Sequence, residues 1–357
     1  MSISPFDHPF LSGLLGNEAA SDWFSANVDI AAMLDFETAL AQAQADEGVI
    51  PAESAQAIAS ACQSFVADMM ALKTATARDG VVVPELISKL RAAIPEEHRN
   101  ALHFGTTSQD VIDTSLMIRL KPVLFHLDSG LDDIITGLNR IDTAFGGNSL
   151  MGYTRMQAAI PITVHDRIEA WREPLLRDKQ RLAFLTQSFP VVQFGGAAGT
   201  LEKLDGKAAA VRKRLAAALG LHDAPQWHSQ RDRIADFASL LSLVTGSLGK
   251  IGQDIALLAQ SGSEISLSGG GGSSAMPHKQ NPVQAELLVT LARYNAVQLS
   301  GMHQALVHEQ ERSGSAWTLE WLILPSMVTT TVSSLQTTAS LLSSIERLRN
   351  STVSEES

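Results

Sequence analysis

The sequence lacks the features that tie a protein to a membrane or to an oxidising compartment. Of its 357 residues only Cys62 is a cysteine, which excludes an internal disulfide and suits a reducing compartment. The chain does not open with the basic and apolar segments of a secretory signal, and it has no run of about 18 apolar residues. We therefore expect a cytoplasmic protein.

Signals for nucleic acid, nucleotide phosphate and metal are also missing. The formal net charge is -11, and no dense Lys/Arg cluster is present to follow a phosphate backbone. Neither G-x-x-x-x-G-K-[ST] nor a strand followed by G-x-G-x-x-G occurs. His303 and His308 are five residues apart, which is the wrong spacing for one helical face, and H-E-x-x-H is absent. We expect no metal, no cofactor and no nucleic-acid partner, although local cations in a cleft could still bind an anion.

Long amphipathic helices dominate the last two thirds of the chain. Apolar residues recur there at spacings of three and four, the pattern of a helix with one apolar face. Asn281 is predicted as an N-cap, with Pro282 in the first helical position. Pro122 and Pro174 are expected to kink their helices rather than end them. The predicted ranges are 110–145, 162–189, 233–260 and 282–308, followed by a Thr/Ser-rich helix after Pro325.

Shorter helices are predicted before residue 100, at 22–46, 52–72 and 84–93. Alternating runs of strand length are scarce and Asn-Gly turns are absent, so the predicted fold class is all-α. Helices this long expose more apolar surface than one chain can cover, which favours an oligomer. The predicted organisation is an N-terminal helical domain at 1–99, a central long-helix bundle at 100–345 and a polar tail at 346–357.

A glycine-rich stretch runs directly into one of the long helices. Gly269 to Gly272 are four consecutive glycines, which indicates a mobile loop or a backbone that closely approaches a ligand. A flexible linker is the alternative reading, but linkers do not usually lead straight into Met-Pro-His-Lys and a capped helix. This segment is the first candidate for a functional site.

The same segment resembles a known family. Gly272 to Pro282 read G-S-S-A-M-P-H-K-Q-N-P, which matches all seven fixed positions of the fumarase/aspartase signature G-S-x-x-M-P-x-K-x-N-P. The resemblance implies a long-helix bundle with a smaller N-terminal helical domain and a truncated C-terminal region. It also implies a homotetramer, in which each active site takes its three motif blocks from three chains.

Two further superfamily blocks have counterparts in the expected order. His103 to Asp110, H-F-G-T-T-S-Q-D, resembles the first, a carboxylate-binding turn at a helix N-terminus where hydroxyls and N–H groups hold an anion. Gly152 to Gln157 resembles the second, which reads G-R-T-H-x-Q in the lyases and G-R-T-W in the muconate cycloisomerases. Tyr153 and Arg155 depart from that pattern. An arginine stays protonated, so Arg155 can bind a carboxylate but cannot replace a histidine acid.

Three more stretches favour one branch of the superfamily, the 3-carboxy-cis,cis-muconate cycloisomerases, over adenylosuccinate lyase. They are Phe194–Thr200, Trp227–Arg233 and His308–Trp317, the last closing on Glu320-Trp321. The implied reaction converts 3-carboxy-cis,cis-muconate to 4-carboxymuconolactone, in the protocatechuate branch of the β-ketoadipate pathway. One carboxylate adds across a double bond and the neighbouring carbon takes a proton.

The resemblance implies that Ser273 and Lys279 are the catalytic residues. Ser273 exchanges the proton, and because its hydroxyl is a weak acid, the alkoxide needs nearby N–H groups or Lys279. Lys279 and Asn281 would stabilise the charge of an enolate-like intermediate. A Ser273 that only turns the loop or caps a helix is the structural alternative.

The remaining candidates would bind or support the substrate. His103 suits a hydrogen-bonded structural role as well as a substrate contact. Arg231 and Arg312 suit carboxylate clamps, and also ion pairs between helices. Glu286 could orient a site residue or be a solvated helix glutamate. The substrate-binding candidates are His103, Thr107, Ser108, Arg155, Gln157, Arg231, Arg312, Ser274, Met276 and Asn281, with Glu286 and His278 in support.

Two other functions stay open from the sequence. An adenylosuccinate lyase-like enzyme would release fumarate, and Arg155 counts against it. A non-catalytic scaffold of the same fold would not need the complete signature. The expected partner is a small tricarboxylate, with neither nucleic acid nor membrane involved.

Overall fold

The computed structural model describes residues 4–272, 276 and 280–348. Within these ranges the chain is mainly helical, with two small antiparallel sheets and two short 3-10 segments, at Glu96–Ala101 and Glu202–Lys207. The helices are α1 Ser12–Leu15, α2 Glu18–Trp23, α3 Ala26–Asp46, α4 Ala52–Gln63, α5 Met69–Asp79, α6 Val83–Ala92, α7 Ser108–Phe145, α8 Val164–Leu185, α9 Ala208–Leu219, α10 Asp232–Ser261, α11 Val283–Gln304 and α12 Gly314–Ser343. The strands are β1 Ser149–Thr154, β2 Gln157–Thr163, β3 Ile265–Leu267 and β4 Ile345–Leu348.

Helix α10 runs through the centre of the bundle. Its apolar face, which includes Leu241, Leu248 and Ile255, is buried where the helix packs against α8, α11 and α12. By length and composition α10 could also span a membrane, but 61% of its most apolar 18-residue stretch is buried inside the protein. Packing within the bundle therefore accounts for its hydropathy, and the predicted apolar stripe is confirmed.

The long helices continue through their prolines, as predicted. Pro122 lies inside α7 and Pro174 inside α8. Pro325 also lies inside a helix, because α12 already begins at Gly314, where the Ser313 hydroxyl accepts the N–H of Ala316 at 3.2 Å. This serine cap explains why the last long helix starts eleven residues before the predicted point.

Two predicted N-terminal helices are each divided in the structure. The range 22–46 is split because Ser25 caps α3 by accepting the N–H of Val28 at 3.4 Å. The range 52–72 is split because Asp68 caps α5 by accepting the N–H of Ala71 at 3.0 Å. In both cases a side-chain acceptor inside the helical pattern stops one helix and starts the next.

A β-hairpin without a clear sequence signal precedes α8. Strands β1 and β2 pair antiparallel with Ser149 opposite Thr163, so α8 begins at Val164 rather than at 162. Arg155 and Met156 form the two-residue turn with φ of 48° and 65°. Such turns usually contain Asn or Gly. The missing turn signal explains why the hairpin was overlooked.

The predicted cap of the helix after the glycine loop is wrong. Asn281 forms an antiparallel bridge with Gly271: each backbone N–H donates to the other residue's carbonyl, at 2.9 and 3.0 Å. Helix α11 starts at Val283 with Pro282 as N-cap, and the proline side chain makes no capping hydrogen bond. Asn281 therefore lies one residue before the N-cap, where its carbonyl accepts the N–H of Val283 at 2.8 Å.

The domain division stays a prediction. Strand β4 crosses the proposed boundary at residue 345 and pairs with β3, which follows α10. Residues 349–357 of the predicted polar tail lie outside the described residues.

Candidate functional site

The first motif block is organised around the buried carboxylate of Asp110, in the first turn of α7. Asp110 accepts five hydrogen bonds: from the N–H groups of Thr107, Gly195 and Gly196, from the Thr106 hydroxyl and from Nε2 of His228, at 2.8 to 3.1 Å. The Thr106 hydroxyl and the Thr107 N–H, predicted to hold a substrate anion, thus serve the protein's own carboxylate. Asp110 joins three motif stretches that are distant in sequence.

Glycine at position 196 makes this arrangement possible. Gly196 has a φ of 69°, and a Cβ there would lie 2.8 Å from the carbonyl oxygen of Gly105. A side chain would therefore push the Phe194–Thr200 loop away from the first block. This explains the glycine at position 196 of that stretch.

Arg231 is held in a buried ion network. It is 2% exposed, and its guanidinium donates to Asp113 at 2.6 and 3.1 Å and to Glu320 at 2.5 and 2.9 Å. Burial disfavours its charge, but the two carboxylates outweigh that effect and raise the pKa of Arg231. Within one chain Arg231 therefore acts as the ion pair between helices, the second of the two roles considered for it.

His308 lies against the same network. Its side chain is buried with Nε2 3.8 Å from Glu320, and burial together with the charge of Arg231 lowers its pKa. Both effects favour the neutral form of the imidazole.

Arg312 reaches the first block from outside. Its Nε donates to Oε1 of Gln109 at 3.0 Å and its Nη2 to the carbonyl of Ala197 at 3.1 Å. Gln109 in turn donates to Asp113 at 3.1 Å, which links exposed Arg312 to the buried ions. Arg312 and Ser108 line one cavity of about 840 Å³. The structure thus brings these two candidates together.

Arg155 and Gln157 lie on the exposed hairpin. Arg155 occupies the turn and lines a cavity of about 680 Å³ with Arg167, Lys250 and Asp254. Gln157 begins β2 and pairs with Thr154. The second block is anchored below its turn, where the N–H of Met151 donates to Glu264 at 3.3 Å, just beyond the end of α10.

The glycine segment borders a third cavity, of about 820 Å³. Gly269 to Gly271 and Asn281 line it beside the ends of α10 and α12. The Gly271–Asn281 bridge brings the two ends of the signature segment together. Met276 is 43% exposed, and Glu286 is exposed in the first turn of α11. The candidates Ser273, Ser274, His278 and Lys279 lie outside the described residues.

The three blocks fall at opposite ends of one helix. The first block contacts His228, which lies just before α10, whereas Glu264 and the glycine segment follow the other end of that helix. A 30-residue helix is about 45 Å long at 1.5 Å per residue. A small molecule bound at the first block therefore lies far from the hairpin and from Gly271 and Asn281 of the same chain.

One cluster within the described part of the chain has the composition of a metal site. Ligand atoms of Asp142, His165 and Glu169 lie within 4.8 Å of one another. Arg172, however, pairs with Asp142 at 3.5 Å and with Glu169. A guanidinium thus already supplies the positive charge, and the cluster gives no support for a metal.

Several residues that shape the site were not predicted. Asp113 and Glu320 compensate the positive charge of Arg231. In the sequence they were indicated only by their positions, Glu320 within a motif stretch and Asp113 just after the first block. Glu37, which contacts His103, had no signal, because it lies 66 residues away inside an ordinary helical pattern. Only the tertiary fold brings it to the first block.

Known proteins are similar to this chain in sequence. A family profile described as lyase matches residues 16–297. The 3-carboxy-cis,cis-muconate cycloisomerase of Pseudomonas aeruginosa is 38% identical over 331 residues, which are 90% of this chain and 72% of that protein. The chain belongs to the lyase family of the fumarase/aspartase superfamily. The protein of the same name from Bradyrhizobium diazoefficiens is 36% identical to this chain, and the match covers 94% of this chain and 75% of that protein.

A solved member of the lyase family has the same fold. The crystal structure of 3-carboxy-cis,cis-muconate lactonizing enzyme from Pseudomonas putida superposes with a TM-score of 0.90 at 36% identity, covering 95% of this chain and 77% of that one. The predicted all-α fold and superfamily resemblance are thus confirmed.

Proposed function

We propose that this lyase-family protein closes 3-carboxy-cis,cis-muconate to 4-carboxymuconolactone, as part of aromatic catabolism in the cytoplasm. The observation that carries the proposal is the complete signature from Gly272 to Pro282, on a segment whose ends meet in the Gly271–Asn281 bridge beside a cavity. The similarity to cycloisomerases over 90% or more of the chain supports the same reaction.

The direct test is spectroscopic. The purified protein is mixed with 3-carboxy-cis,cis-muconate, and the ultraviolet absorbance of the conjugated diene is followed. The absorbance is expected to fall as the lactone forms. A folded sample that leaves the diene intact, while releasing fumarate from a succinyl adduct such as adenylosuccinate, would establish the rival lyase function instead.

The reaction assigns a task to each group. The attacking carboxylate is part of the substrate, so the enzyme has to hold three negative charges and move one proton. Negative charge develops on the carboxylate beside the protonated carbon, where Lys279 and Asn281 stabilise it and Ser273 handles the proton. At about 4 Å and an effective dielectric constant near 20, one lysine attracts such a charge by roughly 4 kcal/mol.

Arg155 binds a substrate carboxylate from the hairpin turn. Replacement by alanine is expected to raise KM by about 10-fold or more while kcat changes little, because a charge-assisted hydrogen bond is lost before and during the reaction alike. Steady-state kinetics measure the two constants, and Arg155→Lys is the charge-matched control that loses the fork geometry. An unchanged KM in the alanine variant would remove Arg155 from the substrate site.

The active site is shared between subunits of a homotetramer. This proposal is supported by the separation of about 45 Å between the first block and the other two. It is also supported by apolar side chains at the surface of the bundle and hairpin, such as Met156 (76% exposed), Val297 (70%) and Leu322 (72%), which a second copy could cover.

Subunit mixing tests the sharing. Ser273→Ala and Arg155→Ala proteins are combined in equal amounts, unfolded and reassembled, then assayed at a substrate concentration well below KM, where the Arg155→Ala protein alone is expected to keep about a tenth of the wild-type rate. If Ser273 and Arg155 of one site come from different chains, about a quarter of the sites regain both residues, since each position has an even chance. No recovery in a tetramer of correct mass would show that both residues of a site belong to one chain.

A further inference from the structure

A buried carboxylate contacts the first motif block from the N-terminal helices. Glu37 lies on α3, is 1% exposed, and its Oε1 is 2.6 Å from Nδ1 of His103. A second buried side chain of α3 contacts the next residue, because Nε2 of Gln44 donates to the carbonyl of Phe104 at 2.7 Å. Helix α3 thus fixes both the ring of His103 and the backbone beside it.

The pairing determines which nitrogen of His103 is turned outward. An ionised carboxylate only accepts hydrogen bonds, so Nδ1 carries the hydrogen. Nδ1 and Nε2 lie at different edges of the ring, and the His103 side chain is 17% exposed. Among the residues that the structure describes, the ring's one hydrogen bond is that of Nδ1. With Nδ1 held in the interior, Nε2 is the atom that can meet a ligand.

The arrangement costs stability in two ways. Oε2 of Glu37 is buried and has no hydrogen-bond partner within the described part of the chain. A buried carboxylate that lacks donors is unfavourable. His103 itself has a φ of 60°, a left-handed conformation that is uncommon for residues with a side chain.

We propose that Glu37 is the positioning residue of His103, and that it presents Nε2 to a carboxylate of the substrate. This inference rests on the proposed function, because it takes the tricarboxylate as the ligand. When the ring is protonated, the Nε2–H donates to the substrate carboxylate and the positive charge lies between two carboxylates, that of Glu37 and that of the substrate. Glu37 acts through His103 and does not touch the substrate.

A double-mutant cycle on the full-length enzyme tests the proposal. Glu37→Gln keeps the size and one acceptor oxygen but removes the charge, and is expected to lower kcat/KM for 3-carboxymuconate by about 10- to 100-fold, mainly through KM. In a His103→Asn background the same change is expected to cost nothing further. The unfolding temperature of Glu37→Gln is expected to equal or exceed that of the wild type, because an unfavourable buried charge is removed.

Gln44→Met is the matched control on the same helix. It removes the other buried contact from α3, and its effect on kcat/KM is expected to be the same with and without His103. Independent, multiplicative losses for Glu37→Gln and His103→Asn would overturn the proposal. So would a Glu37→Gln enzyme with wild-type kinetics, or one that loses activity only in step with a lower unfolding temperature.

A measurement without substrate separates this proposal from the proposed function. If the wild type leaves 3-carboxymuconate intact, the function is wrong, and the pairing is decided by ¹⁵N spectra of histidine-labelled protein. The imidazole signals that disappear in His103→Asn are expected to show a protonated Nδ1 and to shift in Glu37→Gln. Signals that are unchanged in Glu37→Gln would show that Glu37 does not set the state of the ring.

Discussion

Replacement of Ser273 by alanine is expected to lower kcat for lactone formation by about 10²- to 10⁴-fold, the range of a lost proton-transfer group. KM should change less, because the carboxylate-binding cations remain. The measurement is the initial rate of diene loss at saturating substrate, together with the oligomeric mass and the unfolding temperature, both of which are expected to match the wild type.

Ser268→Ala is the control for this variant. Ser268 precedes the signature and its N–H donates to the carbonyl of Ser344 at 2.7 Å, a backbone bond that alanine retains. Its kcat is expected to stay within about two-fold of the wild type, since the exposed Ser268 hydroxyl donates only to the Ser344 carbonyl, at 3.3 Å, and loss of such a surface hydrogen bond costs little. Full activity of Ser273→Ala would transfer the proton-handling role to another group.

Replacement of Arg231 by methionine is expected to destabilise the protein by about 3 to 5 kcal/mol. The change leaves Asp113 and Glu320 buried without their shared cation, and an uncompensated buried charge costs this much. Urea unfolding at neutral pH measures the effect. Because Arg312 is linked to Asp113 through Gln109, activity is expected to fall as well, even in molecules that remain folded.

The cost of the stranded buried charges can be separated from the cost of lost side-chain packing. Adding Asp113→Asn and Glu320→Gln to Arg231→Met removes the stranded charges, and is expected to restore much of the lost stability. Arg78→Met serves as the surface control, since Arg78 pairs with Asp79 in solvent, and no measurable change is expected. The guanidinium carbon of Arg231 also lies 4.7 Å from the centre of the Trp227 ring, and a triple variant as unstable as Arg231→Met would assign the loss to this packing instead.

The sequence predicted those parts of the fold that depend on hydrophobic periodicity. The range 233–260 became α10 almost residue for residue, because an unbroken apolar stripe allows one solution. Errors arose where a single side chain competes with that pattern. Ser25 and Asp68 divide predicted helices by accepting backbone N–H groups, and their spacing alone does not distinguish a cap from a helical residue.

The site was predictable to the extent that it consists of local motifs. The three blocks could be found from their own residues, but their partners could not, because the contacts are made over long separations. Asp110 is hydrogen-bonded to His228, which is 118 residues away in sequence, and His103 to Glu37, which is 66 residues away. Arg231 shows the limit most clearly: a cation that binds substrate and one that balances two buried carboxylates look the same in sequence, and burial decides between them.

The length of α10 has an electrostatic consequence. Its two ends are about 45 Å apart, whereas charges in solution at physiological ionic strength are screened over about 8 Å. A polyanion held at one end is thus more than five screening lengths from the other. An anion bound at one end of the helix therefore does not repel an anion that approaches the other end. An acidic chain can thus bind anionic ligands at two separate places independently.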